Sequence, residues 1–131
     1  MINIFQPEVP KSSLDMLSKV FDSNWLGRGK LVSNFELRLS QFLNVDQQEI
    51  TTMSCCSDAI FAILPIIKKR SPAKKVLVPS ISFPAVGSAV INAGLELVVV
   101  DVEADTGNIS LDAIRQHFDD DVLAVFITHY G

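Results

Sequence analysis

Apolar positions along this chain change rhythm near residue 49. Before it they recur every three or four residues: Leu14, Leu17, Val20 and Phe21 fall on one side of a helix, and Phe35, Leu39, Phe42 and Leu43 on one side of another. Residues 4–10 carry two prolines and read as extended, and Lys11-Ser12-Ser13 offers a cap for the first helix, which runs to about Phe21. Gly27 and Gly29 around Arg28 break the pattern, so residues 24–30 form a loop. Ser33 and Glu36 have the spacing of a capping box, which starts the second helix near Ser33.

From Glu49 onward short apolar or β-branched runs, 49–53, 75–78, 96–100 and 122–128, alternate with helical stretches at 58–69, 84–93 (stopped by Gly94) and 110–118. Alternation of this kind predicts an α/β fold: a three-layer arrangement with a mainly parallel sheet flanked by helices, because each crossover returns a helix to the sheet with one hand. Leu97-Val98-Val99-Val100 is apolar at successive positions, as a strand covered on both faces requires. With no repeat or linker, residues 1–131 read as a single domain: 1–30 give an N-terminal arm, a helix and a loop, and 31–131 give the βα units.

Composition adds exclusions. At 131 residues, with 48% hydrophobic and 20% charged positions, the chain is globular and of one-domain size. A formal net charge of -4 argues against nucleic acid or an anionic membrane as partner, since both need clustered cations. The basic groups Lys68-Lys69-Arg70 and Lys74-Lys75 flank Ser71-Pro72-Ala73 and read as a solvated loop. No run reaches the roughly 18 apolar residues of a membrane span, and Met1-Ile2-Asn3-Ile4 lacks the basic start and apolar run of a secretory signal, so a cytoplasmic location is expected. Cys55 and Cys56 are adjacent and read as reduced small residues; together with two distant histidines they make no metal site.

In a doubly wound sheet the ligand crevice lies beyond the carboxyl ends of the strands, so chemistry is sought in the loops that leave them. Ser54-Cys55-Cys56-Ser57-Asp58 stands between a strand-like run and a helix, where bare N–H groups and the helix dipole attract an anion such as phosphate; a plain N-cap by Ser57 or Asp58 is the structural alternative. Phe83 is a large aromatic at a strand exit, placed to stack on a flat heterocycle or to fill the core. Asp105, Thr106, Gly107 and Asn108 are turn residues, and His129-Tyr130-Gly131 follows the last strand without a visible chemical partner.

Taken in order, Trp25-Leu26-Gly27-Arg28-Gly29-Lys30 with Phe35-Glu36, Cys56-Ser57-Asp58-Ala59-Ile60, Val78-Pro79-Ser80-Ile81-Ser82-Phe83, Val100-Asp101-Val102 with Asp105-Thr106, and His129-Tyr130-Gly131 resemble the successive N-terminal motifs of the DegT/DnrJ/EryC1/StrS family. The resemblance covers nearly the whole chain and is specific through the order and spacing of its motifs. It implies the N-terminal part of the large domain of a fold type I enzyme dependent on pyridoxal 5'-phosphate. Most such enzymes are aminotransferases that turn a nucleotide-linked keto-sugar into an amino-sugar, with glutamate as the usual donor.

By this resemblance Cys56 and Ser57 match a Gly-Thr pair that holds the cofactor phosphate, Phe83 matches the aromatic stacked on the pyridine ring, and Ser82 lines the same place. Cysteine in place of glycine requires a negative φ at position 56. Trp25, Gly27, Arg28 and Lys30 match the loop that approaches the sugar substrate. The resemblance places the aspartate that pairs with the pyridine nitrogen, and the lysine that holds the cofactor covalently, after Gly131. The chain therefore carries no catalytic residue of its own and is expected to be inactive alone, and homo-oligomeric, as a dimer. Two other functions stay open: a sugar dehydratase of the same family, and a non-catalytic α/β module that binds a phosphate ligand or assembles with a partner.

Overall fold

The computed structural model describes residues 6–130; the N-terminal tetrapeptide, the start of the extended 4–10 stretch and Gly131 lie outside the described residues. Contacts divide the chain into two compact units, one reaching to Thr52 and one beginning at Met53.

The first unit holds α1 (Ser12–Asp22), α2 (Lys30–Leu43) and a single 3-10 turn (Gln47–Glu49). α1 takes no side-chain cap. Instead the Ser13 and Leu14 amides donate to the carbonyls of Pro10 and Lys11 at 2.9 and 3.0 Å, so backbone turns do the work expected of the serine hydroxyls. α2 begins three residues before the expected Ser33. Gly29 is its N-cap, and the capping box does not form because the Glu36 carboxylate is occupied by Arg28 and Thr52. Asn44 ends α2 in the left-handed region at φ 55°, with the Val45 amide donating to the Ser40 carbonyl at 3.0 Å.

The second unit is built on three parallel strands in the order β2-β1-β3, with β1 at Lys75–Pro79, β2 at Glu96–Val100 and β3 at Val122–Val125. α3 (Cys56–Lys68) packs against α4 (Pro84–Asn92), α4 lies on β1 and β2, and α5 (Leu111–His117) contacts β2. The expected α/β architecture with a parallel sheet is thus the one the chain adopts. Val76, Leu77 and Val78 are buried in succession, the signature of a central strand covered on both sides. Leu64 of α3, Val86, Ala89 and Val90 of α4, and Leu95 close over Val76 and Val78 to make the core. All the buried apolar side chains among the described residues belong to this unit.

Residues 49–53, expected as a strand, are not one. Ile50 is extended, but the Thr52 amide donates to the Glu36 carboxylate and no neighbouring strand pairs with the segment. β3 stops at Val125, short of residue 128, although the Phe126 amide still reaches the Leu77 carbonyl at 2.8 Å. Gly94 ends α4 as expected, at φ +64°, where any side chain would be strained. At the amino end of β1, Lys75 Nζ donates to Asp119 at 2.6 Å; this bond holds the lysine above its ordinary pKa and the aspartate below its own. Among the described residues no helix is long and apolar enough to cross a membrane, and no three His, Cys, Asp or Glu side chains gather as a metal site.

Candidate functional site

Four loops leave the carboxyl ends of the second unit's strands or enter its first helix, and the candidate cofactor residues stand on two of them. At the start of α3 the N-cap is Cys55, extended at φ -156° and ψ 169°, with no side-chain cap. Neither Ser57 nor Asp58 fills that position, so the first-turn amides of Cys56, Ser57 and Asp58 point along a 13-residue helix with no carbonyl to receive them inside it. Ser54 Oγ donates to the Asp58 carboxylate. Cys55 and Cys56 are exposed and Ser57 is half-buried. Cys56 is not among the residues with positive φ, which meets the condition that a side chain at this position requires.

β1 runs into Ser80, Ile81, Ser82 and Phe83, and Phe83 is the N-cap of α4 with Pro84 at the first helical position. Phe83 is 72% exposed; it does not fill the core. An aromatic left bare at a strand exit is available for stacking. Ser82 Oγ lies 3.3 Å from Thr128 Oγ1, which ties the exit of β1 to that of β3. α3 runs to the end of the sheet at which β1 begins, so its N-terminus and the exit of β1 are at the same end of the unit. Lys68, Lys69, Lys74 and Lys75 cluster at the other end. Lys68 Nζ donates there to the carbonyls of Ala93 and Gly94, at 2.7 and 3.0 Å.

Asn108 escaped the sequence analysis as anything but a turn former. Its side-chain amide pairs with Tyr130 as a strand would: Oδ1 accepts from the Tyr130 amide at 2.7 Å and Nδ2 donates to the Tyr130 carbonyl at 3.2 Å. The turn that presents it is closed by the Val102–Ile109 bridge and by Gly107 at φ +68°. The His129-Tyr130 segment is thereby fixed, although His129 itself is exposed. No local sequence signal announces this pairing, because its partner lies 22 residues away.

The substrate-side candidates belong to the first unit. Trp25 Nε1 donates to the Arg28 carbonyl at 3.1 Å, and the indole lies so close to Gly29 that a Cβ there would meet Nε1 at 2.8 Å. Glycine at 29 is therefore a condition of this loop shape. Trp25, Gly27 and Lys30 line a mainly apolar cavity of about 720 Å³ together with Met16, Val20 and Leu31. Arg28 turns elsewhere: its Nη2 donates to both Glu36 carboxylate oxygens at 2.9 Å. Glu36 also accepts from the Thr52 amide at 2.9 Å and the Thr52 hydroxyl at 2.8 Å. The Thr52 bonds, with Arg28 adding to them, hold its carboxyl below the ordinary value of 4.5.

A parallel sheet with helices packed on it is the fold this chain shares with pyridoxal-phosphate-dependent sugar aminotransferases of fold type I. The aminotransferase TlmJ from Streptoalloteichus hindustanus superposes with a TM-score of 0.89 at 31% identity, over 100% of this chain and 36% of that one. The family model of the DegT/DnrJ/EryC1/StrS aminotransferase family matches residues 7–131, and the chain belongs to that family. It is 33% identical over 131 residues to a dTDP-4-dehydro-2,3,6-trideoxy-D-glucose 4-aminotransferase of Saccharopolyspora spinosa, covering 100% of this chain and 34% of the relative. An Escherichia coli GDP-4-keto-6-deoxy-D-mannose-3-dehydratase with bound hydrated PLP matches at a TM-score of 0.81 and 19% identity, over 97% of this chain and 34% of that one; the likeness there is one of fold. The chain spans about a third of the length of these relatives.

Proposed function

We propose that residues 1–131 form the phosphate seat and ring-stacking face for pyridoxal 5'-phosphate in an aminotransferase acting on a nucleotide-linked keto-sugar, with glutamate as amino donor. The observation that carries it is the pairing of an open α3 terminus with an exposed Phe83 at the same end of the sheet. Cys56 and Ser57 would receive the phosphate through their amides and the Ser57 hydroxyl, Phe83 would lie against the ring, and Ser82 would line the same space beside Thr128. The bound cofactor supplies an electron sink for moving the amino group. Trp25, Gly27 and Lys30 would meet the sugar nucleotide from the first unit's loop, and Arg28, tied to Glu36 but still largely exposed, would meet it with the part of its side chain that Glu36 leaves free. Biosynthetic work of this kind fits a cytoplasmic location.

The exposed cysteines give a direct test. Pyridoxal phosphate, and inorganic phosphate more weakly, should slow alkylation of Cys55 and Cys56 by iodoacetamide, whereas pyridoxal without its phosphate should not. Loss of a hydrogen bond to a charged acceptor predicts that Ser57→Ala weakens this protection roughly tenfold. Equal alkylation rates with and without pyridoxal phosphate would refute the seat.

A homodimer belongs to the same proposal. Leu14, Leu17 and Phe21 of α1 and Phe35 and Phe42 of α2 are exposed, and apolar faces of this extent drive association. Sedimentation velocity at micromolar concentration should show a species heavier than the 14.4 kDa chain, and a stable monomer would count against it.

A further inference from the structure

The first unit buries no apolar side chain among its described residues, yet it buries a carboxylate: Glu36 is 4% exposed. Taking a charge out of water is costly unless donors replace the water, and here four hydrogen bonds from three donor groups do so. We infer that Glu36 is the positioning residue of the substrate-side loop, holding residues 25–29 in place through the Arg28 guanidinium. Its significance for a sugar substrate rests on the function proposed above; the positioning itself does not.

Glu36 fixes the Arg28 side chain from one side. The Arg28 carbonyl in turn receives the Trp25 indole N–H, and Gly29 leaves the space into which the indole fits. Trp25, the single tryptophan of the chain, is thus two links from the carboxylate. Glu36 also holds Thr52 by both amide and hydroxyl, so this backbone donor of the 49–53 segment is given to a side chain. Arg28 is the charged group facing Glu36 and Thr52 the neutral one. A carboxylate whose folded pKa is depressed contributes stability that is present above its unfolded value near 4.5 and is lost as pH falls through the folded value.

The experiment follows Trp25 fluorescence anisotropy and acrylamide quenching from pH 7 to 3, with amide hydrogen exchange at Thr52. The wild-type loop should loosen only below about pH 4.5, where protonation releases Arg28. Glu36→Gln keeps an acceptor for Thr52 but loses the charge, so it should show the loosened Trp25 signal at every pH with little change at Thr52. Glu36→Ala should also speed Thr52 exchange by roughly tenfold or more. Should Glu36→Ala fail to fold, the glutamine variant and the wild-type pH profile decide the matter alone. A Trp25 signal in Glu36→Gln that matches wild type and keeps its acid transition would overturn the inference. Cysteine protection by pyridoxal phosphate should be the same in wild type and Glu36→Gln; its absence from both would sink the cofactor proposal and leave the positioning role standing.

Discussion

Leu64→Ala is expected to destabilise the second unit by about 3 kcal/mol, within the range of roughly 2–5 kcal/mol for truncating a buried leucine. Leu64 is 1% exposed and sits where α3 meets α4 and the central strand, as one of the seven buried residues that form the core cluster among the described residues. Such a small core has few side chains able to relax into the space left behind, and the cavity term is added to the lost transfer energy. Three kcal/mol is a large part of the 5–15 kcal/mol that hold a typical domain together. Urea unfolding followed by far-ultraviolet circular dichroism should show the midpoint fall with an unchanged slope. The tryptophan is no guide here, since Trp25 belongs to the first unit. An unaltered midpoint would mean that α3 does not pack through Leu64 as described. Because the proposed phosphate seat is the N-terminus of α3, protection of the cysteines should disappear along with the fold.

Cys56→Asp is expected to separate binding from stability. An aspartate in the first turn faces the positive end of α3 and favours the helix by about 0.3–1 kcal/mol, so the variant should melt no lower than wild type. For a phosphate the same charge is repulsive: two unit charges about 4 Å apart interact by about 4 kcal/mol at an effective dielectric of about 20. Cys56 is exposed, and solvent and salt reduce this to a loss of roughly ten- to a hundredfold in affinity. Cys56→Gly, which removes the side chain beside the proposed seat, should bind at least as well as wild type. Isothermal titration with pyridoxal phosphate, run beside thermal unfolding, reads both quantities. If the aspartate variant binds with wild-type affinity, the phosphate sits elsewhere.

Much of the fold was legible because it depends on local chemistry. The strand expected at 96–100 carries the apolar run Leu97-Val98-Val99-Val100 soon after Gly94, and its limits match β2 (Glu96–Val100). The helix expected over 110–118 forms as α5 (Leu111–His117), with the Ser110 hydroxyl accepting from the Ala113 amide at 3.0 Å at its start. The misses share one cause, which is a partner distant in sequence. Ser33 and Glu36 look like a capping box until Arg28, eight residues before Glu36, and Thr52, sixteen after, claim the carboxylate. The apolar and β-branched character of 49–53 suits a strand, but strand identity depends on a neighbour, and Thr52 bonds to a side chain instead. At the candidate site, the order of motifs pointed to Cys56, Ser57 and Phe83. Whether Phe83 was bare or buried was a packing question that spacing does not answer. Asn108 was invisible as a pairing residue because its amide stands in for backbone.

The strand order has a consequence in time. β1, the middle strand, pairs with β2 as soon as Val100 exists, but its other edge waits for β3 at Val122–Val125. At about 5–20 residues per second, a ribosome needs roughly 1–5 s to lengthen the chain from Val100 to Val125. During that interval the most buried of the three strands presents a bare row of amides and carbonyls to whatever lies nearby. Nascent chains of this protein should therefore be most vulnerable to trapping by neighbours, and most dependent on chaperone cover, in the seconds before their fifth helix and third strand arrive.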